Sequence, residues 1–178
     1  MATPADGLAQ LLSVLTRIEI QYFVGGSVAS SAYGIPRTTM DVDLVVDLQP
    51  GQLDEFSTLL GTDFYVGEST LIHLPSTYKF DLFPLRADQF SRSEFDRRQV
   101  IEIKSQRPDP VKCAVSTAED TILRKLEWYR AGGETSERQW NDLRGVLKVS
   151  GKILDYEYLR HWADYLKVND LLDRLLAE

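Results

Sequence analysis

One stretch restricts the fold more than any other: YFVGGSVASSAYGIPRTTMDVDLVV, residues 22 to 46. A β-forming run ends on two glycines, a serine and small helix-compatible residues follow, and Gly34 and Pro36 stop them. Aspartates then stand at alternating positions, 41 and 43, at the head of an apolar run. Successive side chains of a strand point to opposite faces, so Asp41 and Asp43 share one face and Met40, Val42 and Leu44 the other. The order strand, glycine turn, short helix, strand commits the chain to a mixed α/β unit whose sheet carries paired negative charge.

Two carboxylates a few ångströms apart repel, and they are stable only if solvated, partly protonated or bridged by a cation. A divalent metal is the productive answer, because Mg²⁺ prefers oxygen ligands and is commonly held by one or two carboxylates plus substrate phosphates. A solvated acidic face on an edge strand is the alternative. The glycines upstream favour the metal. A Gly25-Gly26-Ser27 turn between strand and helix lets backbone N–H groups approach a phosphate closely, the helix N-terminus adds favourable electrostatics, and Ser27 adds a hydroxyl. A third carboxylate is expected on a neighbouring strand. YKFDLFPL offers Asp81 among apolar residues, where an aspartate needs a partner, either the metal or Lys79 or a nearby arginine.

Helical spacing of Leu8, Leu11, Leu12, Leu15 and Ile18 predicts an amphipathic helix over the first 20 residues. A serine at position 27 is expected to cap the short helix that follows. Pro50 and Gly51 open another helix that Gly61 closes, and DFYVG, TLIHL, YKFDLFPL and QVIEI read as strands. From residue 117 the pattern turns helical: Thr117 and Asp120 form a capping signal, Ile122, Leu123, Leu126 and Tyr129 are in phase, and Gly132-Gly133 is a stop. A second helix starts near Ser136, and the C-terminal 24 residues hold one or two more. The expected organisation is an α/β core over residues 1–116, a small mixed β-sheet flanked by helices, with a helical segment over 117–178 packed on it.

The formal charge of −7 disfavours a protein that coats nucleic acid by bulk electrostatics. A polyanion contact would be confined to the segment carrying Arg86, Arg92, Arg97, Arg98, Lys104 and Arg107, where acidic residues interleave. No apolar run approaches the roughly 20 residues that span a bilayer, so no membrane role is expected. A single cysteine, Cys113, and no basic-apolar leader make the cytoplasm the expected location.

The arrangement Gly25-Gly26-Ser27, about ten residues, then Arg37-Thr38-Thr39-Met40-Asp41-Val42-Asp43 resembles the signature of the polymerase-beta-type nucleotidyltransferase superfamily. It is most similar to the minimal bacterial nucleotidyltransferases that include abortive-infection and toxin-antitoxin toxins. Lys125, Arg138 and Asp142 match the lysine, basic residue and aspartate of a downstream helical motif in those proteins. The resemblance implies that Asp41, Asp43 and Asp81 are catalytic and hold two Mg²⁺. It implies nucleotide binding by Gly25, Gly26, Ser27, Arg37, Thr39, Lys125, Arg138 and Asp142, with Lys125 meeting the triphosphate. The implied reaction moves a nucleoside monophosphate from an NTP donor to an acceptor hydroxyl, on RNA such as tRNA or on protein, with an antitoxin as possible partner. A non-catalytic nucleotide- or partner-binding module of the same fold, and a small-molecule (antibiotic) nucleotidyltransferase, are the rival readings. Arg138 and Asp142, four apart on one helix, also fit a plain salt bridge.

His73 and His161 have no spaced partners that would make a zinc site, and Cys113 reads as a buried small hydrophobe. Trp128, Trp140 and Trp162 are expected to fill the helix-sheet interface, and Tyr22 and Tyr33 the core.

Overall fold

The computed structural model describes residues 2–103 and 110–178. Lys104 and Arg107, the end of the expected basic segment, lie outside the described residues. Fifteen regular elements follow one another: α1 (Pro4–Arg17), β1 (Tyr22–Val24), α2 (Gly26–Tyr33), β2 (Asp41–Val46), α3 (Leu53–Leu60), β3 (Phe64–Val66), β4 (Thr70–His73), β5 (Tyr78–Pro84), α4 (Gln89–Arg97), β6 (Gln99–Ile103), β7 (Val111–Val115), α5 (Ala118–Ala131), α6 (Glu137–Ser150), α7 (Tyr156–Tyr165) and α8 (Asn169–Leu176). The strands form one mixed sheet in the order β3-β4-β5-β2-β1-β7-β6. The pairs β2–β5 and β1–β7 are parallel and the other four antiparallel.

Alternation decides which helices cover which face. In β2, Val42, Leu44 and Val46 are buried and Asp41 and Asp43 are not. The apolar row joins Val24, Phe80, Cys113 and Val115 in one cluster with Leu8, Leu11, Leu12 and Leu15 of α1 and Phe56 and Leu60 of α3. Each such side chain contributes roughly 1.5–3 kcal/mol by leaving water. A reciprocal cap holds the start of α1, where Thr3 accepts from the Asp6 amide and Asp6 accepts from the Thr3 amide. On the opposite face Phe23 meets Phe95 of α4 and Phe83 meets Trp128 of α5. A second cluster gathers Ile122, Leu123 and Leu126 of α5, Leu143 and Val146 of α6, Leu159 of α7 and Leu171, Leu172 and Leu175 of α8, together with Phe90 of α4.

Three features depart from the sequence expectations. The charged segment after Arg86 contains α4, capped by Asp88 accepting from the Ser91 amide. Its buried face is only Phe90, Ser91, Glu94 and Phe95, too few apolar residues to show a helical period. The VKCAV run is an unforeseen strand, β7, seated between β1 and β6 with Val111, Cys113 and Val115 inward. Ser27 does not cap α2: Gly25 occupies the cap position, without a side chain to fill it, and Ser27 lies one residue inside the helix.

His73 is buried and hydrogen-bonds Ser76, His161 stacks edge-on against Trp162, and Cys113 is buried. Trp140 is buried, whereas Trp128 is half exposed. No helix among the described residues is long and apolar enough to cross a membrane.

Candidate active site

The parallel pairing of β2 with β5 sets Asp43 directly beside Asp81 and Asp41 beside Lys79. Because alternate residues share a face, all three aspartates and Lys79 emerge on the side of the sheet away from α1. Two threonines orient the outer pair. Thr39 Oγ1 donates to Asp41 Oδ1 at 2.8 Å, and Thr70 Oγ1 donates to Asp81 Oδ1 at 2.7 Å. Thr39, expected at the nucleotide, is therefore engaged with a carboxylate, and its carbonyl accepts from the Tyr78 hydroxyl. Thr70 was not among the sequence candidates. Its signal was the antiparallel register of β4 on β5, which sets it opposite Asp81.

Asp43 differs from its neighbours. Among the described residues its carboxylate has neither a hydrogen bond nor an ion pair. Burial raises its pKa above the ordinary carboxylate value, the charges of Asp41 and Asp81 raise it further, and Lys125 and Lys79 offset part of this. Lys79 is the only cation in contact with the trio among the described residues, its Nζ 2.6 Å from Asp81 Oδ2 and 3.9 Å from Asp41 Oδ2. Among the described residues no three acidic, histidine or cysteine side chains are gathered closely enough to hold a metal ion as they stand. Strand register aligns the carboxylates, and Lys79 and the two threonines hold Asp41 and Asp81.

Above Asp43 sits the N-terminus of α2. Gly26 has φ +53, and a Cβ there would lie 1.7 Å from Asp43 Oδ2. Only glycine meets both demands, a left-handed backbone and an approach this close to a carboxylate. The Gly25 amide donates to the Asp43 carbonyl at 2.9 Å, which ties the turn to β2. The α2 N-terminus thus opens beside the acidic row with no side chain capping it.

Basic residues converge on the same end. Arg37 donates to both oxygens of Asp142 and to Ser27 Oγ, and Lys125 Nζ donates to Asp142 Oδ2 at 2.8 Å. Burial pushes the Asp142 carboxyl up, but the hydrogen bonds from Arg37 and Lys125 outweigh it and hold the group below its ordinary range. Ser27 accepts from Arg37 with its lone pair, so its own O–H is free to donate. Gly25, Gly26, Ser27, Arg37, Lys125 and Asp142 therefore share one locus. Arg138 does not: it is exposed and forms no ion pair among the described residues, so the alternative Arg138–Asp142 salt bridge is not formed there. Asp142 faces α2 and α5, where two cations compete for it, and Arg138 faces solvent.

The arginines of the segment named for any polyanion contact have partners of their own. Arg86 pairs with Asp88 and Glu127, Arg92 approaches Asp47, Arg97 contacts Glu119 and Asp120, and Arg98 lies over the Phe95 ring and donates to Gln21. These four arginines are committed to neighbouring carboxylates and rings.

The mixed α/β architecture is similar to that of solved nucleotidyltransferase structures. The chain is similar to the antibiotic-resistance factor ANT(2'')-Ia, with a TM-score of 0.58 and 13% identity over 96% of this chain and 95% of that one. ANT(2'')-Ia is also known in complex with adenylyl-2''-tobramycin. An antigenic nucleotidyltransferase-like protein from Paracoccidioides brasiliensis aligns with a TM-score of 0.56 and 18% identity over 97% and 92% of the two chains. The lincosamide antibiotic adenylyltransferase LnuA, with lincomycin bound, aligns at 0.50 and 14% identity over 84% and 99%. No family model matches the sequence, and no curated protein matches it significantly.

Proposed function

We propose that the chain is a Mg²⁺-dependent nucleotidyltransferase that moves a nucleoside monophosphate from an NTP to an acceptor hydroxyl. The observation that carries this reading is the register of β2 on β5, which puts Asp41, Asp43 and Asp81 on one face against the α2 N-terminus. The chemistry of the donor set suits the metal, being three hard oxygen ligands of which one, Asp43, is without a protein partner among the described residues, and holding the ion requires the carboxylates to draw closer than they stand. Asp41, Asp43 and Asp81 would hold the ions. A divalent metal held there would supply charge neutralisation for the transfer.

The chain's own groups account for the rest. The α2 amides after Gly25 and the Ser27 hydroxyl bind phosphate oxygens, and Arg37 holds Ser27 in place. Lys125 adds positive charge to the same end. In the transfer the acceptor oxygen bonds to the α-phosphorus, the bond to the β-phosphate oxygen breaks, pyrophosphate leaves, and a carboxylate takes the hydroxyl proton. Asp81 is the candidate for that proton. Positioning and electrostatics do most of such chemistry, which suits a site made of carboxylates, amides and cations.

For the acceptor, a small hydroxylated molecule carrying positive charge is the better-supported reading. It is supported by the net charge of −7 and by the carboxylates that lie against Arg86, Arg92 and Arg97 and lower the positive charge of that surface. Two proteins of similar fold are described with antibiotics, tobramycin as its adenylyl product and lincomycin. A tRNA or protein acceptor within a toxin-antitoxin pair is the competing reading. Incubation with each α-labelled NTP and Mg²⁺ against aminoglycosides, lincosamides, total tRNA and cell protein separates them. Label should move to a small molecule and disappear with Asp41→Asn and Asp43→Asn. Transfer to tRNA alone would reverse the acceptor assignment, and NTP binding with no transfer to any acceptor would favour a non-catalytic module.

A further inference from the structure

Lys79 stands where a cation would be wanted. It precedes Asp81 by two residues on β5 and lies opposite Asp41 across the parallel pair, so two of the three carboxylates meet one ammonium group. Its Nζ is 2.6 Å from Asp81 Oδ2 and 3.9 Å from Asp41 Oδ2, and its side chain is 43% exposed. The contact is close enough to neutralise charge and open enough to exchange. Thr70 and Thr39 take the remaining oxygens of Asp81 and Asp41 that the structure engages.

We propose that Lys79 is a built-in counter-cation that holds the acidic row in the unloaded protein and that an incoming divalent ion must displace. The inference rests on the reading of Asp41, Asp43 and Asp81 as metal ligands. Without Lys79, Asp41 and Asp81 would lose the cation that contacts them, and the row would be neutralised only by protonation or by an ion from solvent. With it the row is stable when empty, and metal binding becomes a competition between one charge and two. A triphosphate arriving with the metal would offer the displaced ammonium group an anionic partner. A displaced Lys79 remains on a flexible stem beside the site, free to meet a negatively charged reactant.

The test needs no turnover. Mn²⁺ binding to metal-free protein, followed by electron paramagnetic resonance without nucleotide, is compared for the wild type, Lys79→Met, Lys79→Arg and Asp43→Asn. Lys79→Met should bind Mn²⁺ about tenfold tighter, since removing a cation a few ångströms from the ion removes a repulsion of that order. Lys79→Arg should stay close to the wild type. Lys79→Met should also melt at a lower temperature in chelator and gain more from Mn²⁺ than the wild type does. In isotopically labelled wild type, the Lys79 ε-carbon resonance should shift on addition of Mg²⁺, a readout that depends on no substitution. Equal or weaker binding by Lys79→Met, or an unmoved resonance while the wild type binds metal, overturns the proposal alone. Failure of every variant and the wild type to bind Mn²⁺ overturns both this proposal and the metal-site reading beneath it.

Discussion

Arg37 closes a bidentate ion pair on Asp142, its Nε 2.8 Å from Oδ1 and its Nη2 3.0 Å from Oδ2, across 105 residues of sequence. Lys125 shares the same carboxylate, so Asp142 ties the loop before β2 to α5 and α6.

Replacing Asp142 by alanine leaves two cations unpaired at a site where Lys125 and Asp142 are only 10% and 7% exposed. Destabilisation of about 2–4 kcal/mol is expected in urea unfolding, with NTP affinity reduced about tenfold by calorimetry. Arg138→Ala, on the exposed side of the same helix, should change stability by less than about 0.5 kcal/mol. Because the folded pKa of Asp142 is lowered, its stabilisation is present above the ordinary aspartate pKa and is lost as pH falls through the folded value. The difference between wild type and Asp142→Asn should therefore shrink in acid.

Asp43→Asn separates function from stability. Transfer should fall about 100- to 1000-fold, as expected for losing one electrostatic element of a phosphoryl-transfer site. The same variant should be no less stable than wild type in metal-free neutral buffer, because burial and two neighbouring carboxylates disfavour the ionised side chain. Thermal melts in chelator and in Mg²⁺ read this directly, since Mg²⁺ should stabilise the wild type and not the variant.

Gly26→Ala tests the approach of α2 to the acidic row. A left-handed alanine costs about 1–2 kcal/mol, and the added Cβ would in addition displace the Asp43 carboxylate. Gly133→Ala is the control: its φ is +74 but nothing lies within 4 Å of an added Cβ, so only the backbone cost should appear. Gly26→Ala should lose both stability and NTP-dependent transfer, Gly133→Ala a little stability alone.

Glu94 on α4 is buried against Arg124 of α5. Its carboxyl is raised to about 7, chiefly by burial and further by Asp120 and Glu127, with Arg124 offsetting part of the rise. A folded pKa above the unfolded one means that the contribution is present at low pH and is lost as pH climbs through about 7. Unfolding free energy should fall between pH 5 and 8 by on the order of 2 kcal/mol from this group, and Glu94→Gln should flatten that slope. Denaturant titrations at four pH values measure it.

Local patterning was enough for much of this protein. The alternation of MDVDLVV fixes which face of β2 is acidic, the leucine spacing of the first turns fixes the buried side of α1, and the cap at Thr117 fixes the start of α5, because each depends on neighbours within about one helical turn or strand pair. The site candidates Gly26, Asp41 and Asp43 came from the same short-range logic. Two elements escaped it. In α4 the buried face includes Glu94, whose burial is compensated by Arg124 from a distant helix, and β7 gains its place only by pairing with β1 and β6. Charge partners were decided the same way. Sequence spacing offered Arg138 to Asp142, but tertiary packing delivered Arg37 and Lys125; it offered Asp81 a choice between metal and Lys79, and the parallel register seated Lys79 in the row. Ion pairing is settled by proximity in space, so the sequence alone could name the carboxylates and offer candidate partners, and only the folded sheet could choose among them.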